Sequence, residues 1–187
     1  MGDDGTHGPE PWKTDGTDAV TVLVKDVYPG SVGSYPDGFA VFGGTLYFAA
    51  ADDIHGAELW RTDGTDAGTI LVRDICPGTC GSGPLGMTAG PGALFFHADD
   101  GVHGVEPWKT DGTAGGTAMV KDLFAGAPGS SPYGFTALGG KVFFGAATGA
   151  TGGQLWKNDG TDAGTVRVPQ ACSSADGCYT LGGFTRF

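Results

Sequence analysis

No stretch of this 187-residue sequence approaches the ~18 consecutive apolar residues of a membrane span, and no charged start followed by an apolar run marks a secretory leader. Membrane insertion is therefore not expected, and if the chain is exported, its leader lies outside this sequence. Basic residues are scarce: 10 Lys and Arg against 21 Asp and Glu give a net charge of −11, with the cations scattered along the chain. Neutralising phosphates needs a basic face, so nucleic acid is excluded as a partner class. Catalytic signatures are missing too. There is no HExxH, no GxSxG and no P-loop, and no Ser, His and Asp set stands apart from the pattern described next, so no enzyme is expected.

What the sequence has is a period. Trp12, Trp60, Trp108 and Trp156 stand 48 residues apart, inside the phrases PEPWKTDGTDAVTVLVKDV, AELWRTDGTDAGTILVRDI, VEPWKTDGTAGGTAMVKDL and GQLWKNDGTDAGTVRV. Repeats of roughly 40 to 50 residues indicate propellers, arrays or solenoids. The apolar residues come in short runs of Val, Leu, Phe and Tyr bounded by Gly, Pro and Asp, which is the wording of strands and tight turns. Four strands per repeat are expected, on the pattern GFTALGG, KVFFGA, QLWKND and GTAMVKDL, and four antiparallel strands make one propeller blade. The reading is all-β: a four-bladed β-propeller of four 48-residue repeats, forming a single domain over residues 1–187.

The start, MGDDGTHGPEPW, aligns with Gly145 through Trp156, and the end, GGFTRF, with GGKVFF. N- and C-terminal strands are thus expected to share the terminal blade, within one chain or between chains; an excerpt from a longer array is an equally literal reading. Closing the ring removes free sheet edges.

Asp15, Asp63, Asp111 and Asp159 begin the four DGT phrases, and Asp-Gly favours a type I′ hairpin turn, so they are read as turn formers. The polar set with most to offer precedes each Trp. Asp4, His7 and Glu10 recur as Asp52, His55 and Glu58 and as Asp100, His103 and Glu106, while the fourth copy has Thr148, Thr151 and Gln154. That joint loss reads as one electrostatic unit, with two readings. In one, Glu58 lies on the face of Trp60 and pairs with Arg73 or with Asp-capped backbone on the neighbouring strand, while Asp and His organise the loop. In the other, the nine residues bind a ligand or a divalent cation such as Ca2+, although no EF-hand spacing is present. His97 ends a strand after Phe95 and Phe96 and is read as structural.

Cys76 and Cys172 each lie sixteen residues after their Trp, followed by Cys80 and Cys178. Two local disulfides, Cys76–Cys80 and Cys172–Cys178, are expected, and they imply an oxidising compartment. Zinc binding is the alternative, with no His near either pair.

The phrases ELWRTDGT and QLWKNDGT, with DGTxxGT throughout, resemble the bacterial ELWxxDGT repeat family over essentially the whole chain; the first and third copies depart with EPW. The resemblance implies an exported protein. The DGT hairpin is similar to the Asp-box turn of sialidase propellers, but Arg61, Arg73, Arg167 and Arg186 sit at unrelated offsets and supply no sialidase arginine cluster. The run FTALGGKVFF before a Trp strand resembles a hemopexin-type blade. That likeness implies a channel in which carbonyls near Gly38, Gly86 and Gly134 could hold an ion.

Together these readings describe an extracellular, non-catalytic module that binds a glycan or a protein through its blade loops and exposed Trp edges. The alternative is a structural subunit of a filament or surface layer built by strand pairing between chains.

Overall fold

The computed structural model describes residues 1–149 and 151–169. Cys172, Cys178 and the segment up to Phe187 lie outside the described residues. The chain is all-β and divides into two units, Met1–Pro84 and Leu85–Phe187. No helix among the described residues is long and apolar enough to cross a membrane.

The first unit holds a two-stranded sheet, β1 (Trp12–Lys13) with β2 (Val22–Leu23), and a short 3-10 turn, Asp18–Val20, between them. A four-stranded sheet follows: β3 (Asp37–Phe42), β4 (Thr45–Asp52), β5 (Gly56–Thr62) and β6 (Ile70–Arg73), each paired antiparallel to the next. The second unit holds two such sheets. One is β7 (Leu85–Gly90), β8 (Ala93–Asp99), β9 (Val105–Thr110) and β10 (Ala118–Met119). The other is β11 (Tyr133–Leu138), β12 (Lys141–Thr148), β13 (Thr151–Asn158) and β14 (Val166–Arg167).

The expected four-strand meander is therefore present in three sheets, while the sheet of Trp12 has two strands among the described residues. The last strand of each copy is only two to four residues long. In the first three copies the chain beyond it turns into a loop held by a buried glutamate, described below.

The first strands share a bulge. Register shifts fall between Asp37 and Ala40, Leu85 and Thr88, and Tyr133 and Thr136. Gly38, Gly86 and Gly134 sit inside them at φ of +67°, +69° and +67°. A side chain is strained at that dihedral, and a bulge glycine bends the strand there.

Core residues come from the middle strands, where alternate side chains point to opposite faces. In the second unit Phe95, Phe135, Val142, Phe144 and Ala146 pack with Val120, and the Phe135 and Phe144 rings stack at 5.1 Å. In the first unit Val27, Phe48, Ala50 and Trp60 form the corresponding cluster with Leu71 against it. Each such fully buried aromatic or aliphatic side chain contributes ~1.5–3 kcal/mol.

The DGT phrases do not make two-residue hairpins. In the second copy the connection from β5 to β6 runs over residues 63–69. Gly64 has φ +87°, but Asp63 keeps a negative φ, so a type I′ turn is not formed. The Asp63 carboxylate instead accepts from Thr65 N–H at 2.9 Å and Thr65 Oγ1 at 2.7 Å. Thr65 Oγ1 accepts from Gly68 N–H, and the Thr62 and Thr69 hydroxyls bond across the loop base. Asp111 and Asp159 repeat the arrangement, and Asp15 repeats the two bonds to its threonine. All four aspartates are turn formers, as expected, through side-chain capping.

Candidate functional site

The strands β4 and β5, like β8 and β9, are joined by a tight turn carrying an Asp–His pair. In all three copies the aspartate Oδ1 accepts backbone N–H groups two and three residues on: Thr6 and His7 for Asp4, Ile54 and His55 for Asp52, Val102 and His103 for Asp100. Its Oδ2 meets the histidine Nδ1 at 2.8, 2.8 and 2.7 Å. Asp4 is held down at about 2 by its backbone donors and His7. Asp52 and Asp100 also stay below the ordinary carboxylate value: burial alone would raise them, but the histidine and backbone donors outweigh it. His7, His55 and His103 are raised, first by the bond to their aspartate. Each turn is thus prone to carry an imidazolium beside a carboxylate. Its tip residue projects into solvent: Thr6, Ile54 at 62% and Val102 at 68% exposure.

The glutamates do something different. Glu10, Glu58 and Glu106 are completely buried. Glu58 accepts from Cys76 N–H at 3.0 Å, Ser82 N–H at 3.0 Å and Ser82 Oγ at 2.6 Å, with Ile75 N–H as a further donor. Glu106 accepts from Leu123, Phe124 and Ser130 N–H and from Ser130 Oγ at 2.6 Å. Glu10 takes Val27 and Tyr28 N–H and Ser34 Oγ. Asp, His and Glu therefore do not make one hydrogen-bonded cluster. The Asp and His shape the turn; the Glu satisfies the backbone of the loop after the last strand, 17 to 24 residues on. Burial nevertheless pushes the Glu58 and Glu106 carboxyls above their ordinary value, against the pull of these donors.

The serines of this staple were not singled out in the sequence. Ser34, Ser82 and Ser130 all lie 24 residues after their Glu, whereas Gln154 has Cys178 at that offset, so the signal was a paired change. Gln154 itself accepts from Arg167 Nη1 at 3.3 Å.

Turn and loop pack together. A Cβ on Gly56 or Gly104 would collide with the backbone near Thr79–Gly81 or Ala127–Gly129, and Gly8 stands likewise against Ser31–Gly33. The loop backbone is also tense: Tyr35 and Ser131 have φ of +50° and +47°, where the second copy has Gly83 at +55°. A non-glycine residue there costs ~1–2 kcal/mol. The second copy adds the expected Cys76–Cys80 disulfide, with Cα atoms 5.9 Å apart.

The Trp edges are not a binding surface in the complete sheets. Trp60 and Trp108 are 7% and 5% exposed, paired with Phe48 and Phe96 in the ladder. The indole N–H of all four tryptophans is buried without a partner among the described residues. Also among them, no three His, Cys, Asp or Glu side chains converge as cation ligands. The carbonyls of Gly86 and Gly134 accept from Thr88 and Thr136 hydroxyls. His97 is structural: its Nδ1 donates to Pro132 O at 2.8 Å, and burial lowers its pKa.

No family model matches this sequence, and no curated protein does. Solved structures do. One comes from work titled "Structural and Mechanistic Analysis of Two Prolyl Endopeptidases: Role of Inter-Domain Dynamics in Catalysis and Specificity", at a TM-score of 0.54 and 13% identity over 84% of this chain. The present chain spans 22% of that protein's length, and the likeness is one of fold alone. A second is the computationally designed Ika8 protein, at a TM-score of 0.41 and 14% identity, covering 87% of this chain and 45% of that one.

Proposed function

We propose that the chain is an extracellular, non-catalytic module that binds a glycan or a protein through its turn-and-loop pairs, on a four-bladed propeller whose terminal blade is shared between N- and C-terminal strands. One observation carries the reading. The same turn and loop are built three times on an invariant frame, Asp–His in the turn and Glu–Ser beneath the loop, while the exposed tips differ: Thr6, Ile54 and Val102. A rigid scaffold presenting variable tips is how binding loops are built, and three repeated shallow sites would act together. The disulfide and the resemblance to exported ELWxxDGT proteins support the extracellular setting. Calcium remains part of the proposal only as an aid to the acidic turns. The test is a glycan array together with capture of extracellular proteins, with and without chelator. Binding that a triple His7, His55 and His103 to Ala variant loses supports it, and silence on both removes it.

A second reading, a subunit of a filament or surface layer, is favoured by one observation: among the described residues β1 carries a strand on only one of its edges at Trp12, beside an apolar groove. Light scattering across a concentration series checks it, because a mass fixed at one chain would remove it.

A further inference from the structure

Where aspartate precedes glycine, the glycine amide nitrogen can attack the aspartate side chain, because no Cβ shields its approach. The described residues hold such steps at Asp4, Asp15, Asp37, Asp63, Asp100, Asp111 and Asp159. In all but one of them the two groups are engaged elsewhere. At the DGT steps Gly16, Gly64 and Gly112 N–H donate to the hydroxyl of the threonine two residues back, each at 2.9 Å, and Gly160 N–H donates to the Asn158 side chain. The aspartates of these steps turn the other way, accepting from the N–H and hydroxyl of the threonine that follows. That hydroxyl also holds their carboxyls below the ordinary value, ionised and so poor at releasing water. At Asp4 and Asp100 the histidine and two backbone groups take the carboxylate, while Gly5 and Gly101 N–H go to Asp3 and Asp99.

Asp37 differs. Gly38 N–H points back at its own neighbour and donates to Asp37 Oδ1 at 2.7 Å. The same contact holds the nitrogen beside the carboxyl that it would attack. Gly38 sits at φ +67° in the bulge of β3, between the paired positions Asp37–Ala49 and Ala40–Tyr47. Asp37 does not create that bulge, because Leu85–Gly86 and Tyr133–Gly134 repeat it without a carboxyl. The frame that fixes the nitrogen therefore belongs to three copies and the electrophile to one. Asp37 is also exposed, so water reaches it.

We infer that Asp37–Gly38 is a self-modification site, closing to a succinimide and opening to isoaspartate in the folded protein. The Gly38 nitrogen bonds to Cγ of the protonated Asp37 carboxyl, the Cγ–OH bond breaks, and the hydroxyl leaves as water with the amide proton. Water then adds to either ring carbonyl. Opening at the main-chain carbonyl leaves the backbone running through the side chain, longer by a methylene, with no oxidant, reductant or cofactor consumed. That extra methylene falls in β3 where Asp37 stands opposite Ala49.

The experiment incubates the full chain at mildly acidic pH, folded and in denaturant, and maps its peptides by mass spectrometry. The succinimide is lighter by one water, and isoaspartate is labelled by an isoaspartyl carboxyl methyltransferase. Asp37–Gly38 should convert about tenfold faster than the DGT steps in the folded protein, and at about their rate in denaturant. Asp37→Glu, which closes only a larger ring, should abolish conversion there and leave the other steps unchanged. Asp37→Asn should reach the same succinimide at neutral pH by losing ammonia. Conversion led by a DGT step, or spread evenly while folded, overturns the site, as does no conversion of Asp37 or of its Asn variant. A lead for Asp37 that persists in denaturant overturns it too, since local sequence and not the fold would then set the rate.

Discussion

Ser82 Oγ donates to Glu58 Oε2 at 2.6 Å across 24 residues, inside a site with no exposed surface on the glutamate. Removing the carboxylate leaves three backbone N–H groups and a hydroxyl without their acceptor. Glu58→Ala should cost ~3 kcal/mol and Ser82→Ala ~1–2 kcal/mol, with the pair of changes costing less than their sum. Denaturant unfolding of the four proteins of that cycle measures it, and additive losses would show that the two side chains do not act together.

The three turn histidines should titrate above 6.5, and His97 below it. A histidine raised on folding stabilises below 6.5 and loses that contribution as pH rises through its folded value. The partner aspartates, lowered on folding, stabilise above 3.8 and lose that contribution as pH falls. The pairs thus favour the fold most between pH 3.8 and 6.5. Glu58 and Glu106 act oppositely, their contribution shrinking as pH rises from 4.5 through their raised values, and His97 loses its own as pH falls below 6.5. Imidazole proton shifts followed by NMR check the four histidines, and a turn histidine titrating below 6.5 would contradict the pairing.

A Cβ on Gly68, Gly116 or Gly164 would overlap the carboxylate of Asp63, Asp111 or Asp159. Gly116→Ala should therefore destabilise by ~1–3 kcal/mol. Val20 occupies this place in the first copy, where the turn is a 3-10 one, so Val20→Ala should stay within ~0.5 kcal/mol. Thermal melting of the two variants distinguishes them.

The Cys76–Cys80 bridge closes a very short loop that the first and third copies hold with the same Glu and Ser and no disulfide. Replacing Cys76 and Cys80 by Ser should cost about 2 kcal/mol by loop closure and leave the circular dichroism spectrum unchanged. Loss of the β spectrum would mean that the bridge, not Glu58, organises the loop.

The period of the tryptophans, the strand wording between glycines and the turn role of the DGT aspartates were all legible in the sequence, because each rests on local chemistry repeated at one offset. The sheets that resulted are antiparallel meanders in the order read. The DGT connection was misread as a two-residue turn because Asp63 satisfies the turn with its side chain, an option that dipeptide wording does not reveal.

Asp52, His55 and Glu58 vanish together in the fourth copy, so the sequence suggested one unit. Only the tertiary structure divided it, turning His55 to Asp52 at the surface and Glu58 inward to Ser82. Sequence alone determined which residues recur, since recurrence needs no coordinates. Where a buried carboxylate finds its donors depends on which distant backbone folds over it, and the desolvation that forces the choice arises only once that loop is in place.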